Sequence, residues 1–298
     1  MSKTPVNVKK LMSEAEQKLQ AQDLPGAIAS YRDVLAVDPE NVEALDHLVA
    51  VLFAVGQWEE AMPLLETVVR LTPDDVEATY VLGDLYFHFD RIDEARVLFD
   101  KVLDMDPDML DAHLRLADIF LGEDRLKECA EEIDMALAID PNSILALISR
   151  AELLLYQEQM PEVVMTTEEI LGLDPENARA HCLLGMAYLA MSNPDEALEY
   201  ATKAVQLDPD EIDAMITIIQ AQLSKSKFEE ATATCEVVLA RDPDNGLALM
   251  SLGMAQATLG EWNKAKETEK HLRTIDAALA DNLKELLDYG AGMQEHLN

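Results

Sequence analysis

The chain has 298 residues, with 23 Lys and Arg against 58 Asp and Glu, for a formal net charge of −35. Apolar residues make up 49% of it, far more than a disordered acidic segment carries, so the chain has the material for a buried core. The negative charge disfavours phosphate backbones and anionic membrane surfaces, so no nucleic-acid partner is expected.

Residues 1–7 are polar, lack the apolar h-region of a secretory leader, and read as an amino-terminal tail. The longest mostly apolar stretches, His47–Val55 and Cys182–Met191, reach roughly half the ~20 residues of a membrane span, so none is expected. Cys129, Cys182 and Cys235 form no CxxC and leave one over from any pair, which argues against a disulfide framework or a zinc ribbon. A reducing compartment and a cytoplasmic location are the expectation.

From residue 8 onward the chain repeats. Prolines recur every 34 residues at Pro39, Pro73, Pro107, Pro141, Pro175, Pro209 and Pro243, and all but Pro73 follow an aspartate. An alanine stands five residues after each: Ala44, Ala78, Ala112, Ala146, Ala180, Ala214 and Ala248. Within one period Leu45, Leu48, Val49 and Leu52 are spaced i, i+3, i+4 and i+7, which puts one apolar stripe on a helix. Gly56-Gln57 breaks that helix, and a second carries Trp58, Ala61, Leu65, Val68 and Val69 until Pro73 stops it. Asn41, Asp75, Ser143, Asn177 and Asn245 are placed as N-caps of the following helices. Met109 and Glu211 break the cap pattern, with Asp108 and Asp210 one residue earlier.

A 34-residue helix–turn–helix unit with a small residue in its first helix, an alanine in its second and a closing proline resembles the tetratricopeptide repeat. The best single match is Leu82-Gly83-Asp84-Leu85-Tyr86 followed by Ala95, Phe99 and Asp106-Pro107. Leu184-Gly185 with Tyr188 and Ala197, and Leu252-Gly253 with Ala265, are similar. Cys129 and Val163 replace the second-helix alanine in two of the eight units, which predicts looser packing there. In this register the units occupy 8–41, 42–75, 76–109, 110–143, 144–177, 178–211, 212–245 and 246–279. The first is degenerate, with Glu14 and Lys18 at places that are apolar elsewhere. The eighth has Ala277 in place of the proline, and residues 280–298 follow as a capping helix and tail. Leu279, Leu283, Leu286 and Leu287 give that end an amphipathic spacing. The resemblance implies an all-α fold, a right-handed superhelical solenoid of antiparallel helix pairs.

No catalytic signature interrupts the repeats. The chain has no GxSxG, Walker loop, HExxH or Gly-rich phosphate cradle, so neither enzymatic activity nor a metal or cofactor is expected. His113 and His181 share one phase and read as half-buried structural positions. The adjacent His181-Cys182 pair diverges by about 100° on a helix and makes a poor chelate. Acidic pairs such as Glu59-Glu60 and Glu229-Glu230 fall near second-helix starts, where they complement the helix dipole.

Function is therefore expected to lie in surface recognition. The resemblance implies that first helices line a concave groove that binds peptides. Carried onto this chain, the groove phases give carboxylates in the amino-terminal half: Glu43, Asp46, Glu77, Asp84, Asp111, Asp118 and Glu152, with Tyr80 among them. The carboxy-terminal half supplies Ile148, Leu155, Tyr156, Cys182, Met186, Leu189, Ile216, Leu223, Met250 and Met254, a flexible apolar lining. Comparable phases hold only Lys9, Arg115 and Arg179 as cations, which argues against a clamp for a C-terminal carboxylate. The expected partner is a protein or peptide of basic and apolar character. Self-assembly into a homo-oligomer through the solenoid ends, and a role as an accessory subunit of a secretion or enzyme complex, are the alternatives.

Overall fold

Each period becomes a pair of helices in the computed structural model, which describes residues 5–295; of the terminal segments, 1–4 and 296–298 lie outside it. In order the helices are α1 Pro5–Gln20, α2 Leu24–Val37, α3 Val42–Ala54, α4 Trp58–Leu71, α5 Val76–His88, α6 Ile92–Met105, α7 Leu110–Gly122 and α8 Leu126–Ile139. They continue as α9 Ile144–Tyr156, α10 Met160–Leu173, α11 Ala178–Ala190, α12 Pro194–Leu207, α13 Ile212–Ser224, α14 Phe228–Arg241, α15 Gly246–Thr258, α16 Trp262–Ile275 and α17 Ala277–Glu295. Among the described residues all regular structure is helical, and no helix is long and apolar enough to cross a membrane.

Local chemistry sets the start of each first helix. Asn41, Asp75, Ser143, Asn177 and Asn245 accept the N–H of Ala44, Ala78, Ala146, Ala180 and Ala248, satisfying a donor that the helix leaves orphaned. Met109 and Glu211 make no such side-chain bond. Where the cap is asparagine, its amide also donates to the preceding Asp-Pro aspartate: Asn41 to Asp38 at 3.1 Å, Asn177 to Asp174 at 3.2 Å and Asn245 to Asp242 at 3.1 Å. Asp75 offers no such donor, and there Thr72 stands in place of the aspartate, bonding instead to the Val68 carbonyl at 2.8 Å. The exchange avoids setting two carboxylates side by side.

The first helices also end alike. Gln22, Gly56, Asp90, Asp124, Glu158, Ser192, Ser226 and Gly260 all have φ between 57° and 80°. After each, the next N–H reaches back to the last turn, as Gln159 does to the Leu154 carbonyl at 2.9 Å. This is a Schellman ending, which satisfies terminal carbonyls and reverses the chain into the second helix.

The repeat's small residues let helices approach. Ala27, Ala61, Ala95, Ala197, Ala231 and Ala265 are fully buried, and Cys129 and Val163 fill the same slot with no more than 1% exposure. A Cβ on Gly185 would stand 3.1 Å from the backbone N of Ala201, so α11 and α12 meet nearly backbone to backbone.

The chain divides into two compact units, Met1–Pro141 and Asn142–Asn298. In the first, Tyr31, Leu45, Leu48, Leu52, Leu65, Val68 and Leu82 belong to one continuous apolar core. In the second, the closing helix α17 starts directly at Ala277, because no proline intervenes and Asp276 accepts the N–H groups of Ala278 and Leu279, both at 2.9 Å. Its Ala280, Leu283 and Leu287 are buried against Leu249, Ala265 and Leu272. Leu279 is half-buried and Leu286 is 48% exposed, so the inward stripe runs through Ala280 and not through Leu286. At the other end α1 begins at Pro5, inside the segment that the sequence assigns to a tail.

Candidate functional site

Within each unit, period-34 placement brings the same positions of successive first helices side by side, and these columns carry the candidate residues. In the first unit Asp46 and Glu77 flank a 370 Å³ cavity between α3 and α5, floored by Val49, Phe53, Leu65 and Val81 and closed by Asp75. Burial first, and the Asp75 charge second, push the Asp46 carboxyl above the usual range. Glu43 and Asp111 are exposed on the same column as Glu77.

Two arginines change the electrostatics expected from the sequence. Asp84 and Asp118 flank Arg115, whose Nε donates to Asp84 at 2.7 Å and whose Nη1 lies 3.4 Å from Asp118. Half-buried Tyr80 lies beside them; burial raises its pKa, Asp84 and Asp111 add to the rise, and Arg115 opposes it. In the second unit Glu152 accepts from Arg179 Nε at 2.9 Å and Nη2 at 2.7 Å. The same guanidinium donates to Glu211 at 3.0 Å and to Asp213 at 2.7 Å. Asp84, Asp118 and Glu152 therefore do not form a bare anionic strip: their charge is met within the chain, which the sequence showed only as scattered cations.

Of the ten residues assigned to the apolar half, four line one cavity. Leu155, Met186, Leu189 and Ile216 meet around a 330 Å³ cavity formed by α9, α11, α13 and α15, together with Ala190, Asp213, Thr217, Gln220 and Leu247. Cys182 lies inside, fully buried, its Sγ 3.9 Å from Met186 Sδ, with its thiol pushed by burial up to about 12. It is core, not lining. Met250 packs into the cluster under α17, and Leu223 against Met215 and Ile219. Met254, 37% exposed, Tyr156, 56% exposed, and Ile148 are outside the cavity's lining. Leu247 was missed, although it occupies the helix position held by Glu43 and Glu77 in earlier repeats.

A third cavity, of 660 Å³, lies at the amino-terminal end between α1 and α3, lined by Val8, Lys9, Met12, Ser13, Glu16, Val37, Asp38, Asn41 and Glu43. Of these the sequence assigned only Lys9 and Glu43 to groove phases, because the degenerate first repeat masks the column.

His113, His181 and the three cysteines are buried, and His181 Nδ1 has no hydrogen-bond partner among the described residues. His113, 5% exposed, has Nδ1 2.6 Å from Glu132 and Nε2 3.0 Å from the Pro107 carbonyl; His181 has Nε2 3.1 Å from the Pro175 carbonyl. Cys129 and Cys235 are buried, and burial pushes their thiols up to about 11 and about 12. Among the described residues no group of three or more His, Cys, Asp or Glu is placed to hold a metal ion.

The arrangement has many solved counterparts. A tetratricopeptide repeat protein from Parabacteroides merdae superposes with a TM-score of 0.71 at 13% identity, covering 84% of this chain and 98% of that one. Pseudomonas aeruginosa PilF gives 0.60 at 22% identity over 70% of this chain and 96% of its own. Yeast Tom70 gives 0.61 at 16% identity over 91% of this chain and 61% of its own. At these identities the likeness is one of fold. A search of curated proteins found no match. Family models described as tetratricopeptide repeat match residues 18–85, 52–101 and 86–153, and a further one matches residues 178–211, together more than half of the sequence. With its helix pairs, caps and small-residue contacts on the same period, the chain belongs to the tetratricopeptide repeat family.

Proposed function

We propose that this protein is a non-enzymatic interaction scaffold whose first helices hold a partner segment combining basic and apolar side chains. The observation that carries this reading is the cavity lined by Leu155, Met186, Leu189, Ile216 and Leu247, an apolar surface that successive first helices leave open to solvent. Its lining also includes Asp213, which is paired with Arg179, and Gln220, which would supply an amide to orient a ligand over the apolar floor. The acidic cavity around Asp46 and Glu77 supports a basic component, since carboxylates beside an apolar floor favour Lys or Arg stems over other side chains. Selection from a random peptide display library tests the proposal. Enriched sequences should combine basic and apolar residues, and Met186→Glu should weaken them by about tenfold or more. Selected peptides indifferent to Met186→Glu and to Glu77→Lys would refute it.

Self-association through the carboxy-terminal end is a second reading, favoured by the exposure of Leu286 and Tyr289 on α17. It predicts an oligomer in light scattering that Leu286→Glu abolishes; a monomer at all concentrations excludes it.

A further inference from the structure

Two histidines two periods apart are anchored alike and finished differently. His113 and His181 each set Nε2 against the carbonyl of a repeat proline, Pro107 at 3.0 Å and Pro175 at 3.1 Å. A carbonyl only accepts, so Nε2 of His181 carries the proton and Nδ1 keeps a lone pair, an acceptor. In the fourth repeat Nδ1 of His113 meets Glu132 at 2.6 Å. In the sixth, Tyr200 holds the position of Glu132, and its ring stacks on the imidazole with centroids 6.1 Å apart. His181 is 9% exposed, and its Nδ1 is left without a hydrogen-bond partner among the described residues. Buried polar atoms without partners are rare, because leaving one unsatisfied costs about 1–3 kcal/mol.

A cavity opens at the same place. His181 and Tyr200 line a 640 Å³ cleft along α12 with Asp195, Leu198, Glu199 and Lys203, a volume within the ~300–1,000 Å³ of clefts that hold ligands. Asp195 is paired with Lys225, whereas Glu199 and Lys203 are in no ion pair among the described residues. One unpaired charge of each sign attracts an ionic guest with one group and repels it with the other, so a neutral polar guest is favoured. The unpaired groups are two acceptors, His181 Nδ1 and the Glu199 carboxylate, and one donor, the Lys203 ammonium. A primary carboxamide is their complement, with two N–H donors and one carbonyl acceptor.

We propose that this cleft is a docking pocket for an asparagine or glutamine side chain of a partner protein. The half-buried Tyr200 ring, whose hydroxyl has no hydrogen-bond partner among the described residues, turns aside to admit it. One amide N–H donates to His181 Nδ1 and the other to Glu199, while the amide carbonyl accepts from Lys203. Leu198 covers the methylenes of the guest. The pocket rests on the partner-binding reading above. It lies on a second helix, where it takes a segment separate from the one held by the first helices, so the two can fail separately.

The probes are three peptides capped with acetyl and N-methylamide groups, identical but for a central glutamine, glutamate or lysine. They are titrated into the full chain with isotopically labelled histidine rings and followed by NMR. The glutamine peptide should move the Nδ1 signal of His181 and bind at least about fivefold more tightly than the other two. Lys203→Met, at an exposed position, should cut that affinity about fivefold and leave the melting temperature of the free protein unchanged. Tyr200→Glu copies the Glu132 arrangement and fills Nδ1 from within, so it should cut affinity at least about tenfold and abolish the His181 shift. A glutamine peptide that leaves the His181 signal in place, or binds no better than the glutamate and lysine peptides, would overturn the pocket. Shifts confined to the surroundings of Leu155, Met186 and Ile216 would overturn it and leave the scaffold reading standing. Failure of the first-helix reading is seen separately, in selected peptides indifferent to Met186→Glu and Glu77→Lys.

Discussion

Single residues in this protein show burial prevailing over reactivity. Burial pushes Cys129 up to about 11 and Cys182 and Cys235 up to about 12, whereas an unfolded thiol ionises near ~8.5. Between those values the native state holds more protons than the unfolded chain, so stability is full below the unfolded value and falls as pH rises toward the folded ones. Urea unfolding across this range should show that decline, and Cys182→Ala should flatten it; an equal slope in the variant would contradict the assignment. The same burial predicts that a thiol reagent labels none of the three until urea unfolds the chain. Backbone conformation is the other residue-scale determinant. Six of the eight left-handed turn positions carry a side chain, at a cost of roughly 1–2 kcal/mol each that glycine avoids, partly offset by its entropy. Glu158→Gly should therefore raise stability by up to about 1 kcal/mol, and Gly56→Ala should lower it by a similar amount, read from unfolding midpoints.

At the scale of elements, caps and proline placement decide where helices begin and how firmly they hold. Asn177 caps α11 and also binds Asp174, so Asn177→Ala should cost about 1–2 kcal/mol. Met109→Asn should gain about 1 kcal/mol by restoring the missing bond. Pro63 lies inside α4, on an exposed turn, where it removes one helical hydrogen bond; Pro63→Ala should stabilise by ~1–3 kcal/mol in thermal unfolding. Leu283→Ala at the closing helix should cost ~2–5 kcal/mol and speed hydrogen exchange in α15 and α16 before the rest of the chain. Most of these elements were legible in the sequence, because a period of 34 residues is marked by residues with strong local physics. Proline stops a helix, an Asn or Asp cap starts one, and alanine permits close approach. The left-handed turns at Gln22, Asp90 and Glu158 were not legible, since only Gly56 and Gly260 display the usual residue. The early start of α17 hinges on Asp276 acting as cap once proline is gone, which needs the geometry.

For the molecule as a whole, the repeat fixes which residues share a column, while the charge on those columns depends on pairings across a period. That is why Leu155, Met186, Leu189 and Ile216 were found together as expected, whereas the arginines at 115 and 179 altered the role of Asp84, Asp118 and Glu152. Long side chains from neighbouring repeats meet only when the helix spacing is known, and sequence phase alone does not say which acid an arginine reaches. The net charge of −35 thus overstates the negative surface that a ligand would meet there. The most direct test of the scaffold is hydrogen exchange of the full chain with and without a peptide selected for binding. The account predicts protection that grows on first helices, α9, α11, α13 and α15 foremost, with second helices unchanged. Protection on α10, α12, α14 and α16 instead, or none with the peptide bound, would contradict it.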